Sequence, residues 1–416
     1  MFSEFHKILR SKVINVTSTQ KQTLLETENW NFMPLNLTAL PWYSESDAPE
    51  SIPILDLHKL STQTTPEIRK ESLQILQQGI TASGFFYIKN HGISDEEIEF
   101  ISNCTRKFYS NSEEFKMQFD HREETRGYSH YRLESTARFF GTGFGKDLCM
   151  KYSMGPELTP EEINERISGE EDIASKAYSA NIYPNSEFKA AWINYYNRIH
   201  ELSMQLLTYM GESLELDQAG QQIWKEILIE KSCGDLRYLQ YPDVPKQACC
   251  DISGNLPDRM AAHFDWDVVT LLHQTPSQNK FISLEARIGE NFVKVPAIRG
   301  TIVVNLGEVL RLLTRGKVKA TIHRVVRPPQ ALHQGSARDV VVFFQAPPLN
   351  AKLSPLIFNN EIGQDTLFDE LYRDAKSTQS VTFSRLRARF FAEFIRQMGD
   401  PDAMHEQDAH LFSEPC

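Results

Sequence analysis

Two histidines and an aspartate have the residue types and the spacing of a metal site. One residue separates His263 from Asp265, and His323 follows much later in the chain. Side chains at positions i and i+2 of a strand point to the same face, so we expect His263 and Asp265 to face one interior. Two imidazoles and one carboxylate suit iron(II) and leave the opposite side of the metal open. An open coordination position is typical of a catalytic site rather than a structural one.

An arginine follows this set at the head of an apolar run. Arg338 precedes Asp339 and the stretch 340–344, which reads Val-Val-Val-Phe-Phe. A guanidinium beside a buried strand suits paired hydrogen bonds to a carboxylate. The alternative is an exposed arginine at the start of a strand, and the local sequence does not distinguish the two.

Other polar and aromatic residues are candidates for a substrate pocket. Arg132 and Arg138 flank a glycine-rich stretch and could bind a substrate carboxylate. Asp267 lies two residues beyond Asp265. From its position it is either a supporting group or cap at the end of the strand, or an alternative metal ligand. Aromatic residues near the same segments are Phe139, Phe140, Phe264 and Trp266. For each of these, ordinary packing or surface exposure is the competing interpretation.

The first half of the chain is predicted to be mainly helical. Thr65 followed by Pro66 is typical of a helix start, and an acidic first turn after Ser94 indicates a second one. The predicted elements are a strand at 52–57, a helix from 66 to Gly84, a strand at 85–88, a helix from 95 to about 109 and an amphipathic helix at 189–216. Residues 125–157 are rich in glycine and aromatics and are predicted to form loops.

The second half is predicted to be rich in short strands. These runs are 236–241, 268–273, 281–286, 291–295, 301–306, 323–326 and 340–344. Many short strands separated by turn residues indicate an antiparallel sandwich or barrel. We therefore predict a mostly β protein, with a helical shell around a jelly roll that carries the chemistry. The expected division is an extension at 1–50, a helical or mixed region at 51–230, the catalytic core at 231–350 and a helical tail at 351–416.

Composition excludes several broad classes. The chain has 416 residues with 41% hydrophobic and 24% charged content, as in ordinary globular enzymes. Its net charge of -11 argues against nucleic acid as a partner. No apolar run is long enough to span a membrane. The basic residues near the N-terminus have no apolar region behind them, so we do not expect a secretory signal. Six cysteines without metal-site spacing are expected to be free thiols in a reducing compartment, which predicts a cytoplasmic protein.

The chain resembles the isopenicillin N synthase-like family of iron(II)/2-oxoglutarate oxygenases over roughly residues 51–350. The likeness includes the segment 52–57, Gly84-Phe85-Phe86, and Asn90-His91-Gly92, a turn in which His91 is structural. Segments such as 134–137, 152–155, 236–244 and 269–276 are similar to the penicillin-expanding branch of this family. The resemblance implies a double-stranded β-helix of the cupin-like oxygenase type.

The resemblance also assigns roles to individual residues. It implies that His263, Asp265 and His323 bind iron(II) and that Arg338 and Tyr241 bind 2-oxoglutarate. Arg237 matches an arginine that binds the substrate carboxylate in the penicillin-expanding branch. Two departures stand out: Leu239 replaces the second arginine of that clamp, and Val340 replaces the serine of the family's Arg-x-Ser motif.

The implied activity is an oxygenase reaction. Fe(II), O2 and 2-oxoglutarate, with ascorbate as a supporting reductant, would couple formation of succinate and CO2 to hydroxylation, desaturation or ring formation or expansion. The expected substrate is a small carboxylate-bearing metabolite, as in secondary metabolism; the resemblance does not fix the product or the oligomeric state. Two alternatives stay open: an isopenicillin N synthase-like oxidase that uses no 2-oxoglutarate, and a non-catalytic relative that acts as a binding protein.

Overall fold

The computed structural model describes most of the chain between residues 33 and 353. The described residues are 33–61, 63–121, 126–140, 145–169, 178–230, 232–244 and 258–353, together with 356, 382–384 and 386. The strands are β1 (Ile54–Asp56), β2 (Phe85–Lys89), β3 (Asp120–His121), β4 (Arg126–Ser129), β5 (Met150–Met154), β6 (Cys233–Tyr241), β7 (Met260–His263), β8 (Val269–Gln274), β9 (Leu284–Ile288), β10 (Asn291–Lys294), β11 (Thr301–Leu306), β12 (His323–Val325) and β13 (Arg338–Ala346).

Helices surround these strands. They are α1 (Pro66–Gln78), α2 (Asp95–Tyr109), α3 (Glu113–Met117), α4 (Thr136–Phe139), α5 (Pro160–Ile167), α6 (Ser186–Ser213), α7 (Gln218–Trp224) and α8 (Glu308–Leu313). Short 3-10 turns lie at Leu37–Ala39, Glu45–Asp47, Leu57–Leu60 and Gln330–Leu332, and π turns at Gly79–Ser83 and Lys225–Glu230. Within the described residues, no helix has the length and hydropathy to cross a membrane.

The first two helices begin where the sequence predicts. The Thr65 hydroxyl accepts a hydrogen bond from the Ile68 amide, and Ser94 and Glu97 form a reciprocal capping box. The π turn after α1 ends at Gly84, whose φ is 63°. A Cβ at Gly84 would overlap the Lys319 carbonyl oxygen, so the close approach also requires glycine.

Two sheets face each other and form the jelly roll. The larger sheet has the order β1-β2-β11-β8-β13-β6-β5-β4-β3, and the smaller has the order β10-β9-β12-β7. Apolar side chains from both sheets pack between them, including Leu239, Val340 and Val342 from the larger sheet and Leu284 and Val325 from the smaller. The opposite face of the larger sheet packs against α1, α2 and α6. The predicted fold class is confirmed.

Parts of the architecture differ from the sequence-based expectation. Residues 125–157 contribute strands β4 and β5, which extend the larger sheet through β6. Strand β7 ends at His263, so Asp265 lies in the connection to β8 and not on the same strand. The Asp265 and Asp267 carbonyl oxygens accept hydrogen bonds from the Glu308 and Val309 amides of α8. These two carbonyls therefore bond to a helix and not to a neighbouring strand.

Both ends of the predicted core are only partly described. Residues 33–50, inside the predicted extension, contact the core: the Leu35 and Leu37 amides donate to the Asn103 and Glu99 side chains at 2.6 and 2.7 Å. The helical tail predicted at 351–416 lies outside the described residues apart from 351–353, 356, 382–384 and 386. The division of the chain at residues 51, 231 and 351 stays a prediction.

Candidate active site

Three side chains converge at the ends of strands in the smaller sheet. His263 is the last residue of β7, His323 is the first of β12, and the two are paired across the ladder. The His263 and His323 Nε2 atoms lie 3.9 and 3.8 Å from Asp265 Oδ1. All three potential ligand atoms lie within 4.8 Å of one another. The arrangement can therefore hold one metal ion between two nitrogens and one oxygen.

Hydrogen bonds at the far side of each imidazole fix its orientation. His263 Nδ1 lies 2.7 Å from the Ala261 carbonyl oxygen, and His323 Nδ1 lies 3.1 Å from the Thr321 carbonyl oxygen. Because a carbonyl can only accept, each Nδ1 carries the proton and donates it. Each Nε2 is then the unprotonated atom that can bind a metal.

Two side chains orient the carboxylate in the same way. The Thr270 hydroxyl on β8 and the Asn305 amide on β11 each donate to Asp265 Oδ2 at 2.6 Å. Asp265 Oδ1 is left facing the histidines. Sequence reasoning missed both partners, although Asn305 is a polar residue that follows three apolar residues within the fully buried strand β11.

Electrostatics favour the metal-binding protonation states. Burial, and then the nearby His323 imidazole, lower the pKa of His263 to about 4. Burial raises the pKa of Asp265, but His323, His263 and the two hydrogen bonds outweigh it and lower that pKa overall. At neutral pH, His263 is therefore neutral and Asp265 is ionised, as metal ligands must be.

Asp267 is not among the converging ligands in the described structure. Burial, and then the charge of Asp265, raise the pKa of Asp267 well above its usual range, so this carboxyl keeps its proton to a higher pH than an ordinary aspartate. Its Oδ2 lies 2.8 Å from the Thr270 hydroxyl. A Cβ at Gly307 would overlap the Asp267 backbone, so glycine is needed where α8 meets this segment. The position suits a supporting group behind Asp265.

Arg338 is a buried cation that forms no ion pair with any residue the structure describes. Its Nη2 donates to Gln274 Oε1 at 2.9 Å, and its guanidinium carbon lies 5.5 Å from the centre of the Tyr241 ring. Arg338 Nε is buried without a hydrogen-bond partner, and no carboxylate in the described residues forms an ion pair with this side chain. Burial lowers the pKa of Arg338. A buried, uncompensated guanidinium is a site for an anion.

The same wall of the sheet carries the other predicted binding residues. Arg338 pairs with Tyr241, Val340 with Leu239, and Val342 with Arg237 between β13 and β6. Arg237 lies over the Phe344 ring at 5.2 Å, and its buried Nε has no partner. Val342, the partner of Arg237, is four positions after Arg338, so the backbone positions of the two arginines lie about 13 Å apart along the wall at about 3.3 Å per residue.

The other residues predicted from the sequence do not all lie beside the histidines. The Phe140 ring packs against His263 at 5.8 Å and against Phe264 at 5.1 Å, and Phe264 contacts Trp266 at 5.2 Å. Arg132 is exposed. Arg138 and Phe139 belong to α4, but their side chains lie outside the described part of the structure. His91 accepts the Ile93 amide hydrogen bond within its turn and is not part of the cluster.

Comparisons with known proteins point to one family. Residues 52–176 match the family described as non-haem dioxygenase in morphine synthesis N-terminal, and residues 232–347 match the 2OG-Fe(II) oxygenase superfamily. Deacetoxycephalosporin C hydroxylase of Streptomyces clavuligerus is 30% identical over 275 residues, covering 64% of this chain and 77% of the relative. Deacetoxycephalosporin C synthase of Amycolatopsis lactamdurans is 33% identical over 227 residues, covering 53% of this chain and 62% of the relative.

A solved structure supports the fold. A full-length Neurospora crassa protein, crystallised in complex with alpha-KG and 5-formyluracil, superimposes with a TM-score of 0.61 at 20% identity, covering 82% of this chain and 96% of that one. The resemblance seen in the sequence is thus confirmed. The chain belongs to the 2OG-Fe(II) oxygenase superfamily and is an oxidoreductase that uses Fe(II), 2-oxoglutarate and dioxygen.

Proposed function

We propose that His263, Asp265 and His323 hold the iron of this enzyme. The observation that carries the proposal is the convergence of His263 Nε2, His323 Nε2 and Asp265 Oδ1 while their other polar atoms are hydrogen-bonded elsewhere. A set of two imidazoles and one carboxylate is the donor chemistry that iron(II) oxygenases use.

We further propose that Arg338 binds the distal carboxylate of 2-oxoglutarate. The unpartnered Nε and the fixed Nη2 of its guanidinium offer donors to that carboxylate, and the Tyr241 ring borders it. Val340 is buried and contributes a methyl surface where the family has a serine hydroxyl. When bound, iron and 2-oxoglutarate would supply, with dioxygen as the oxidant, oxidative decarboxylation to succinate and CO2, coupled to oxidation of the second substrate.

The protein side chains around the site position the substrate and exclude water. Leu239, Val340 and Val342 form an apolar wall opposite the histidines. Arg237 is a second cation on this wall for which the described residues supply no ion-paired carboxylate, which supports a small carboxylate-bearing metabolite as substrate. Arg138 stays a candidate from the sequence. We also propose a cytoplasmic enzyme of secondary metabolism without nucleic-acid or membrane partners, consistent with the net charge of -11 and the free buried thiols Cys104 and Cys149.

The test is turnover with a panel of small carboxylates. Oxygen consumption and succinate release should both require 2-oxoglutarate, and Arg338→Met should raise the 2-oxoglutarate concentration needed. Oxygen consumption that does not depend on added 2-oxoglutarate would instead support an isopenicillin N synthase-like oxidase. Failure to bind iron(II) would support a non-catalytic binding protein.

A further inference from the structure

A buried lysine lies directly across from Leu239, the position where the penicillin-expanding branch carries its second arginine. Lys151 on β5 pairs with Leu239 on β6. Two residues away on each strand, Ser153 pairs with Arg237. Paired residues of an antiparallel ladder share one face, so Lys151 and Arg237 are both on the wall that faces the histidines. A cation is therefore present near position 239, but it comes from the neighbouring strand.

Two carboxylates hold the Lys151 ammonium. Its Nζ lies 2.7 Å from Glu134 Oε2 and 3.1 Å from Asp147 Oδ2. Asp147 is buried, and it also accepts hydrogen bonds from the Thr136 amide and hydroxyl at 3.0 and 2.8 Å. The hydrogen-bonding capacity of Asp147 is thus largely used within the protein. The Glu134 side chain, in contrast, is 41% exposed.

Glu134 is held by Lys151, whose ladder position is diagonal to that of Arg237, and Glu134 forms no ion pair with Arg237. The Lys151 and Arg237 charges outweigh the effect of burial and lower the pKa of Glu134 to about 2, so the carboxylate is ionised. The two groups nevertheless form no ion pair, and the buried Arg237 Nε has no hydrogen-bond partner. An anion held by Lys151 and a cation without a hydrogen-bond partner at Nε thus belong to adjacent ladder positions on this wall.

From this arrangement we propose that the second substrate is zwitterionic, an amino acid whose carboxylate binds Arg237 and whose ammonium binds Glu134. The inference rests on the proposed function and narrows its substrate class. Lys151 acts as a positioning residue, because it fixes the Glu134 carboxylate. Within this cluster, the charges of Lys151 and Arg237 are matched by those of Glu134 and Asp147, and a zwitterion preserves that balance. A simple monoanion would add unbalanced negative charge beside Glu134 and Asp147.

Binding to the full chain tests the inference without turnover. The protein is loaded anaerobically with Mn(II) and 2-oxoglutarate and titrated calorimetrically with free α- and β-amino acids. Each amino acid that binds is then compared with its N-acetyl and carboxamide derivatives. Losing either charge-assisted contact should weaken binding about tenfold or more. These derivatives probe the wild-type protein, so the result does not depend on whether a variant folds.

Two variants assign each charge to its residue. Glu134→Gln should remove the preference for the free amine over the N-acetyl form, and Arg237→Gln should remove the preference for the acid over the amide. Glu113→Gln is the matched control, because Glu113 pairs with the buried Lys116 at 2.8 Å outside this wall. Melting temperature and 2-oxoglutarate affinity monitor folding.

Three results would overturn the zwitterion proposal while 2-oxoglutarate still binds. They are no binding of any amino acid, equal binding of the N-acetyl form, and an unchanged preference in a folded Glu134→Gln variant. Failure of the wild-type protein to bind Mn(II) and 2-oxoglutarate would contradict the proposed function instead, so the two failures are distinguishable.

Discussion

His323 lies directly opposite His263 across the β7–β12 ladder, with ring centroids 4.3 Å apart. Paired positions of an antiparallel ladder place both imidazoles on one face. A one-residue slip in register would turn one of them away. The candidate metal site thus depends on the register of the smaller sheet, and the larger sheet contributes the groups that orient Asp265.

Thr270→Val should weaken metal binding. The substitution keeps the shape of a buried side chain on β8 but removes the hydroxyl that donates to Asp265 Oδ2 at 2.6 Å. Loss of a partner that orients a metal ligand typically costs about 10- to 100-fold in affinity. Anaerobic Mn(II) titration measures this. Thr301→Val is the control, because its hydroxyl bonds the Ile298 carbonyl away from the site. Equal Mn(II) affinity in both variants would contradict the role of Thr270.

Arg338→Met should weaken 2-oxoglutarate binding without destabilising the unliganded protein. A hydrogen bond to a charged group contributes roughly 1.5–3 kcal/mol, so affinity should fall by about 10- to 150-fold. The melting temperature should hold or rise, because methionine removes a buried guanidinium that has no ion pair within the described part of the chain. Calorimetric titration and thermal unfolding give the two values. A lower melting temperature with normal 2-oxoglutarate affinity would mean that Arg338 is structural.

Val340→Ser should tighten 2-oxoglutarate binding modestly. Position 340 lies two residues from Arg338 on the same strand face, and a hydroxyl there would restore the contact that the family motif supplies. One neutral hydrogen bond contributes about 0.5–1.5 kcal/mol, or roughly two- to tenfold in affinity. Titration of this variant beside wild type provides the measurement. Weaker binding would indicate that the cosubstrate lies elsewhere on the wall.

Acid should destabilise the fold partly through His273. This histidine on β8 packs beside Trp42, and burial, with a smaller effect of His91, lowers its pKa from 6.5 to about 3. The unfolded chain therefore binds more protons than the folded one between these values. Stability from the neutral imidazole is complete above about pH 6.5 and is lost as the pH falls toward 3. Between neutral pH and pH 5, the melting temperature of the His273→Leu variant should decrease less than that of wild type. Parallel losses would exclude this histidine as a source of acid sensitivity.

Local patterns in the sequence predict many elements of the fold. The strand at 301–306 and the helix beginning at Pro66 occur as expected, since alternation, capping residues and turn residues are local signals. Strand β5 was missed because it is short and is stabilised by pairing with β6, a partner far along the chain. Glycine and aromatic content around it suggested loops instead.

The candidate site shows the same division between local and long-range information. Residue type and family resemblance identified His263, Asp265, His323 and Arg338, which the fold brings to facing walls. Thr270, Asn305 and Lys151 were not identified, because their contacts join strands that are separated in sequence. The strand alternation used for His263 and Asp265 was wrong in detail, since β7 ends at His263. Asp265 lies beside the histidines because of the tertiary fold and not because it shares a strand with His263.

The most direct test of the proposed iron and 2-oxoglutarate sites is an anaerobic titration. Iron(II) and then 2-oxoglutarate are added to the metal-free protein, and the weak visible charge-transfer band of the chelated complex is followed. We predict that wild type gives the band, that His263→Ala does not, and that Arg338→Met requires more 2-oxoglutarate. A band of full intensity in His263→Ala, or iron binding without any band in wild type, would contradict the assignment.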